Sequence, residues 1–79
     1  MIIQVYNLSP DFTDKHLRKI FEAFGTVLNA EVSRNPFNGR SNRNGMVEML
    51  KTEDGEKAIQ LLDRSIVEGK IISVSPTNK

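Results

Sequence analysis

Two stretches with helical spacing of apolar residues, flanked by runs that favour strands, constrain the fold of this sequence more than any other feature. In the first, 13–25, one side of the predicted helix is apolar, with Leu17, Ile20, Phe21 and Phe24. Thr13 is predicted to cap this helix and Gly25 to end it. We expect Thr52 to cap the second helix, whose apolar side consists of Ala58, Ile59, Leu61 and Leu62. Both helices therefore need an apolar surface to pack against.

Four runs rich in β-branched and aromatic residues surround these helices and predict strands. They are 2–8, 26–33, 45–50 and 70–75. In the second run, Val27 and Ala30 both face the core only if a β-bulge or a change of twist lies between them. The order of the elements predicts a ferredoxin-like β-α-β-β-α-β arrangement of the α+β class, with a four-stranded antiparallel sheet and two helices on one face. The other face of the sheet is left open to solvent or to a partner.

The size and composition of the sequence fit one small globular domain, which we expect to span 1–79. With 38% hydrophobic and 27% charged residues, the sequence is not typical of a disordered chain. The absence of cysteine excludes disulfide bonds and cysteine-ligated zinc. No apolar run approaches the ~20 residues of a membrane span, and the N-terminus does not resemble a signal peptide. We therefore expect a cytoplasmic protein without a membrane partner.

Positive charge is concentrated in one predicted loop, although the net charge is only +1. Residues 34–45 contain Arg34, Arg40 and Arg43 and no acidic residue. Arginines grouped in this way are typical of contacts with phosphate, which supply much of the sequence-independent affinity for nucleic acids. Phe37, at the tip of the loop, can stack on a base or pack back onto the protein. The alternative is an ordinary solvated loop, because Asn, Gly, Pro and Ser favour turns in any case.

Four segments of the sequence resemble those of a known family, in the same order and with the same spacing. They are IQVYNL (3–8), TDKHLRKIFEAFG (13–25), NGRSNRNGMVEM (38–49) and AIQLLDRSIVEGKIISV (58–74). The family is the RNA recognition motif (RRM), and the small bacterial proteins made of a single RRM are the most similar in size. The resemblance implies a domain that binds single-stranded RNA by stacking bases on aromatic rings of the two central strands.

The three positions where that family places stacking rings hold other residues in this sequence. Two of these positions lie in the eight-residue motif NRNGMVEM (42–49), where they are occupied by Asn44 and Met46. The third lies on the first strand and is occupied by Gln4. Tyr6 offers a ring two residues from Gln4, on the same side of that strand. Because the first and third strands are expected to be antiparallel neighbours, Gln4 should lie near Met46, and Tyr6 near Asn44. The alternative is that Tyr6 is merely a β-favouring surface residue.

Further residues are expected around this open face. The predicted RNA contacts on and beside the last strand are Lys70, Ser73, Ser75 and Lys79. Arg43 is predicted to add a positive charge next to the central strands. Glu31 and Glu48 are expected to project toward the same face, where a carboxylate repels phosphate but can accept a hydrogen bond from a base amino group.

The favoured function is the binding of single-stranded RNA with modest affinity, with single-stranded DNA as an alternative ligand. The competing hypothesis is a protein-interaction module or homodimer, formed through an exposed apolar patch of Ile2, Met46, Leu50 and Ile71. We expect no enzyme, cofactor or metal, because no nucleophile–base pair and no metal-ligand spacing occurs in the sequence. His16, the single histidine, is interpreted as a solvated helix residue.

Overall fold

The computed structural model describes residues 1–77, which form two helices and six strands. The strands are β1 (Ile2–Tyr6), β2 (Val27–Arg34), β3 (Ser41–Met49), β4 (Ile66–Val67), β5 (Lys70–Ile71) and β6 (Ser73–Pro76). The helices are α1 (Asp14–Glu22) and α2 (Thr52–Leu62). Lys79, which the sequence predicted to contact RNA, lies outside the described residues.

The main sheet confirms the predicted ferredoxin-like topology. Its four strands are antiparallel and lie in the order β2-β3-β1-β6, so that β1 and β3 are the central pair. The pairing of β2 with β3 shifts in register between Val27 and Asn29, which confirms that the strand is irregular between Val27 and Ala30, as predicted. A second shift, between Val32 and Arg34, is not evident from the sequence.

The hydrophobic core lies between the helices and one face of this sheet. Alternate positions of the central strands and one side of each helix supply its side chains, which include Ile3, Val5, Val47, Met49, Leu17, Phe21 and Ala58. Burying a large apolar side chain of this kind contributes about 1.5–3 kcal/mol to stability. Leu8 and Phe12, in the segment between β1 and α1, are also buried. Because neighbouring strand residues point to opposite faces, the residues between the core positions lie on the uncovered face.

The start of α1 is capped by Thr13, as predicted. The Thr13 hydroxyl accepts a hydrogen bond from the backbone N–H of His16 (3.3 Å), and the Thr13 N–H donates to Nδ1 of His16 (3.2 Å). His16 therefore occupies the position that glutamate or glutamine takes in a capping box. Its side chain is exposed, as expected, but the capping role was not predicted.

Two predictions about α2 are wrong. Thr52 is the first helical residue rather than the cap, because Lys51 has the extended backbone of an N-cap and no side chain caps the helix. Leu61, predicted on the apolar side, is 59% exposed. The buried side of α2 is centred on Gly55 and Ala58. Since each helical residue turns the side-chain direction by about 100°, Leu61 lies roughly 90° from the middle of that buried side, at the edge of the core, where it is exposed to solvent.

The predicted last strand is divided into two parts. After α2 the chain forms a hairpin in which β4 pairs with β5, and only β6 joins the main sheet. The backbone of Ile72 explains the division, since its N–H donates to the carbonyl of Ser65 (3.0 Å) and its carbonyl accepts from Arg64 (2.8 Å). Ile72 and Val74 both face the core, as predicted.

Candidate nucleic-acid interface

The open face of β1 and β3 carries the residues that the sequence predicted, in the predicted register. Gln4 pairs with Met46, and Tyr6 pairs with Asn44. The Tyr6 side chain is 46% exposed, whereas Phe12 and Phe21 are buried in the core. Within residues 1–77, Tyr6 is therefore the one aromatic ring on the sheet's open face.

The neighbouring strand β6 extends this face. Ser73 pairs with Tyr6, and Ser75 pairs with Gln4, so both predicted serines lie beside the central strands. Lys70 lies in the β4–β5 hairpin, next to Ile71, whose carbonyl accepts a hydrogen bond from Nδ2 of Asn7 (2.8 Å). The backbone of Asn7 has a positive φ of 64°, which turns the chain after β1. Its side chain holds the hairpin through the bond to Ile71.

A shallow hollow of about 270 Å³ lies on the other side of the central strands, toward β2. Its lining consists of Gln4, Glu31, Ser33, Asn44, Gly45 and Met46. Two side-chain hydrogen bonds organise its rim: Nδ2 of Asn42 donates to the Ser33 hydroxyl (2.9 Å), and Nδ2 of Asn44 donates to the Asn42 carbonyl (3.2 Å). The sequence predicted Gln4, Asn44 and Met46 as contacts and Glu31 on this face, but it did not predict the hollow itself.

The loop between β2 and β3 is shorter and more ordered than the sequence suggests. It spans 35–40, because β2 continues to Arg34 and β3 begins at Ser41. The Asn35 side chain accepts hydrogen bonds from the N–H groups of Phe37 (2.8 Å) and Asn38 (3.3 Å), and the Asn35 N–H donates to the carbonyl of Arg40 (2.8 Å). These bonds hold the loop as a closed turn.

The side chains of this turn project into solvent. Phe37 is 95% exposed, so the interpretation that it packs back onto the protein is wrong. Arg34 and Arg40 are also exposed, one at each end of the turn. The turn therefore presents one aromatic ring and two guanidinium groups to solvent.

Arg43 differs from the other two arginines, because it is fastened to the segment between β1 and α1. Its Nε donates to the carbonyl of Leu8 (3.1 Å), and its own carbonyl accepts from the Leu8 N–H (2.9 Å). Its φ of 64° is uncommon for a residue with a side chain. Arg43 thus closes the end of β3 against that segment, a structural role that sequence reasoning missed.

Charge on the open face is mixed. Glu31 pairs in register with Met46, and Glu48 pairs with Ile2, so both carboxylates are on the face that carries Gln4 and Tyr6, as predicted. Within residues 1–77 the one salt bridge joins Arg18 to Glu22 in α1 (3.6 Å), away from this face. The open-face carboxylates therefore have no cationic partner among the described residues.

The described residues contain neither a metal-binding cluster nor a membrane-spanning helix. No group of three or more His, Cys, Asp or Glu side chains in 1–77 is arranged to hold a metal ion. No helix in the same range is long and apolar enough to cross a membrane.

Comparison with known proteins decides the family. The sequence model for the RNA recognition motif matches residues 3–73 of the 79 residues. The chain belongs to the RNA recognition motif family. Over 73 residues, or 92% of the chain, this RRM is 36% identical to polyadenylate-binding protein 2 of Arabidopsis thaliana, of which it spans 11% of the length.

Solved structures agree with this family and fold. The crystal structure of RNA-binding protein PG1 matches the whole RRM and 95% of its own chain, with a TM-score of 0.97 at 29% identity. A complex of the Sxl-lethal protein with RNA matches 96% of the RRM and 47% of its own chain, with a TM-score of 0.90 at 29% identity. A domain of this shape and family is therefore known in a complex with RNA.

The apolar patch of the competing hypothesis is not one surface. Leu50 follows the end of β3 that pairs with Met1 and Val27. Ile71 lies at the other end of β1, beside Asn7. The two most exposed members of the predicted patch are therefore separated by the length of the central strands, and a protein-binding role is not favoured.

Proposed function

We propose that this RRM binds single-stranded RNA on the open face of its sheet, with Tyr6 as the stacking ring. The position of Tyr6 carries the proposal: it is half-exposed on a central strand, between Asn44 of β3 and Ser73 of β6. Family membership and the RNA complex of a similar domain support it. Amide and hydroxyl groups on both sides of the ring can bond to the edges of a stacked base.

Phosphate contacts are proposed for the turn between β2 and β3 and for the β4–β5 hairpin. Arg34 and Arg40 are exposed, and within residues 1–77 no acidic side chain forms a salt bridge with either. Phe37, in the same turn, is exposed, and we propose that it stacks on a base at the edge of the sheet. Arg43 has four N–H donors besides the Nε–H bonded to Leu8, and we propose that these reach a phosphate. Lys70 supplies a charge at the opposite edge.

The proposed affinity is modest. Stacking on an aromatic ring contributes about 1–3 kcal/mol per base. The three positions where the family places such rings hold Gln4, Asn44 and Met46 here, and Tyr6 replaces at most one of them. Losing two such contacts corresponds to roughly 100-fold weaker binding or more, since ~1.4 kcal/mol is a factor of ten.

The test is fluorescence anisotropy with a pool of labelled single-stranded RNA octamers. Tyr6→Ala is expected to weaken binding by roughly 5- to 100-fold, while Tyr6→Phe, which keeps the ring, should bind nearly as well as the wild type. Leu61→Ala is the matched control, because Leu61 is similarly exposed but lies on α2, on the covered side of the sheet. Wild-type affinity in Tyr6→Ala would contradict a stacking role.

We further propose that residues 1–79 act as one RRM by binding alone, without catalysis or a cofactor. Single-stranded DNA is expected to bind as well, because stacking and phosphate contacts do not require a 2′-hydroxyl group. The cytoplasmic location expected from the sequence stays a prediction. A protein partner or homodimer remains the outcome to pursue if no nucleic acid binds.

A further inference from the structure

Glu31 and Glu48 are the two carboxylates of the open face that RNA affinity alone does not explain, and Glu31 is the one that lines the hollow. Its carboxylate lines the hollow on a surface that is proposed to face a polyanion. Among residues 1–77 it has neither a salt-bridge partner nor a side-chain hydrogen bond, and it is exposed. An unpaired carboxylate at this position repels phosphate. It therefore favours binding only if it contacts a group that donates hydrogen bonds.

The other polar groups of the hollow also have defined hydrogen-bonding roles. The Asn44 side chain donates from Nδ2 to the Asn42 carbonyl, which can only accept. This bond fixes the orientation of the amide and leaves Oδ1 of Asn44 as an acceptor. The Ser33 hydroxyl accepts from Asn42, so its own hydrogen is the group left to donate. The hollow thus offers the Glu31 carboxylate and the Asn44 oxygen as acceptors, and Ser33 as a donor.

This arrangement matches one RNA base better than the other three. A carboxylate has two acceptor oxygens and no donor. The pairing edge of guanine presents two adjacent donors, N1–H and the N2 amino group, followed by the O6 acceptor. Adenine and cytosine place an acceptor nitrogen beside their amino group, and uracil places its N–H between two carbonyls. A carboxylate therefore forms two hydrogen bonds with guanine and meets a repelling lone pair on each of the others.

We propose that the hollow beside Met46 accepts a guanine base and that Glu31 determines this specificity. The inference rests on the proposed RNA binding and adds a base preference to it. Guanine would bond through N1–H and N2 to the Glu31 carboxylate, with O6 available to the Ser33 hydroxyl or the Gln4 amide. The repulsion of phosphate by Glu31 lowers affinity for every RNA, and the hydrogen bonds to guanine offset this loss for guanine-containing RNA alone.

The experiment compares heptamers of uridine that carry guanosine, inosine, adenosine, cytidine or uridine at the central position. The wild type is expected to bind the guanosine heptamer at least about fivefold more tightly than the others, the discrimination typical of a bidentate base contact. Inosine lacks the N2 amino group and should lose most of that advantage. Glu31→Ala, which leaves neither an acceptor nor a donor at this position, should remove most of the preference while binding the all-uridine heptamer more tightly than the wild type.

Glu56→Ala is the matched control, since it removes the same charge from an exposed position of α2. It should keep the guanosine preference, and thermal melting of both variants verifies that they are folded. Equal affinity of the wild type for all five heptamers, or an unchanged preference in Glu31→Ala, would overturn the role of Glu31 while leaving RNA binding in place. Failure of the wild type to bind any heptamer or the octamer pool would instead overturn the proposed function.

Discussion

Gly45 is predicted to be required by packing, and Gly45→Ala should destabilise the domain. Gly45 lies in β3 on the core face, where an added Cβ would come within 2.8 Å of the Glu31 carbonyl oxygen and 2.8 Å of Cδ2 of Leu17. One of these neighbours is strand backbone and the other is a fully buried side chain, so neither can move freely. Overpacking of this kind costs about 1–3 kcal/mol.

A smaller effect opposes this cost. Alanine loses less backbone entropy than glycine on folding, which contributes about 0.5–1 kcal/mol in its favour. The two ranges combine to a net loss of at most about 2.5 kcal/mol for Gly45→Ala, with a midpoint of about 1.25 kcal/mol, from a total stability of roughly 4–12 kcal/mol for a domain of this size. At that midpoint the melting temperature should fall by roughly 5–10 °C.

The assay is thermal and urea unfolding followed by circular dichroism, in a double-mutant cycle with Leu17→Val. Valine has no δ-carbon, so this substitution removes one of the two close contacts. Gly45→Ala should therefore cost less in the Leu17→Val background than in the wild type, with a coupling of at least about 0.5 kcal/mol. An unchanged or raised melting temperature in Gly45→Ala, or strict additivity in the cycle, would refute the packing argument.

Three further predictions concern other parts of the molecule. Arg40→Ala should weaken binding to RNAs of all sequences alike and lower the salt slope of the binding constant by about 0.7. The control Lys57→Ala, on α2, should leave that slope unchanged. A loss of affinity in Arg40→Ala that is confined to certain RNA sequences would contradict a phosphate contact. Thr13→Ala should cost about 1 kcal/mol in urea unfolding by removing the cap of α1, while Thr13→Ser keeps the hydroxyl and most of the stability. Equal losses in both Thr13 variants would show that the cap is not responsible. Asp63→Ala should cost about 1.5–3 kcal/mol and speed amide exchange at Val74, whose N–H donates to Oδ1 of Asp63 (2.9 Å). Asp63→Asn keeps an acceptor oxygen, so the Val74 amide should exchange more slowly in this variant than in Asp63→Ala. An unchanged exchange rate of the Val74 amide in Asp63→Ala would contradict this contact.

Local patterns in the sequence were sufficient to predict the fold and the pairing of the central strands. The period of two along β1 places Gln4 and Tyr6 on one face, and an antiparallel neighbour then brings them opposite Met46 and Asn44. The irregularity after Val27 was predicted from the same alternation of core and surface positions. These features depend on residues close together in the chain or on one simple pairing rule.

The errors arise where distant backbone groups decide the structure. The last strand is divided because the backbone of Ile72 forms hydrogen bonds with Arg64 and Ser65, after α2, rather than with β1. No local sequence pattern predicts this pairing. Arg43 looks like a free loop cation in the sequence, but its positive φ and its bond to Leu8 make it part of the framework. The hollow that contains Glu31 and Ser33 depends on how β2 lies against β3, so its shape is not encoded in either strand alone.

RNA binding on the open sheet face can be tested by an amide NMR titration of the isotope-labelled domain with short single-stranded RNAs, at low and moderate salt. Shifts are expected to cluster at Gln4, Tyr6, the segment 34–46 and Ser73, and to shrink as the salt concentration rises. Little change is expected in α1 and α2, on the covered face. An absence of shifts at low salt with every RNA, or shifts confined to the helices, would show that the open sheet face does not bind RNA.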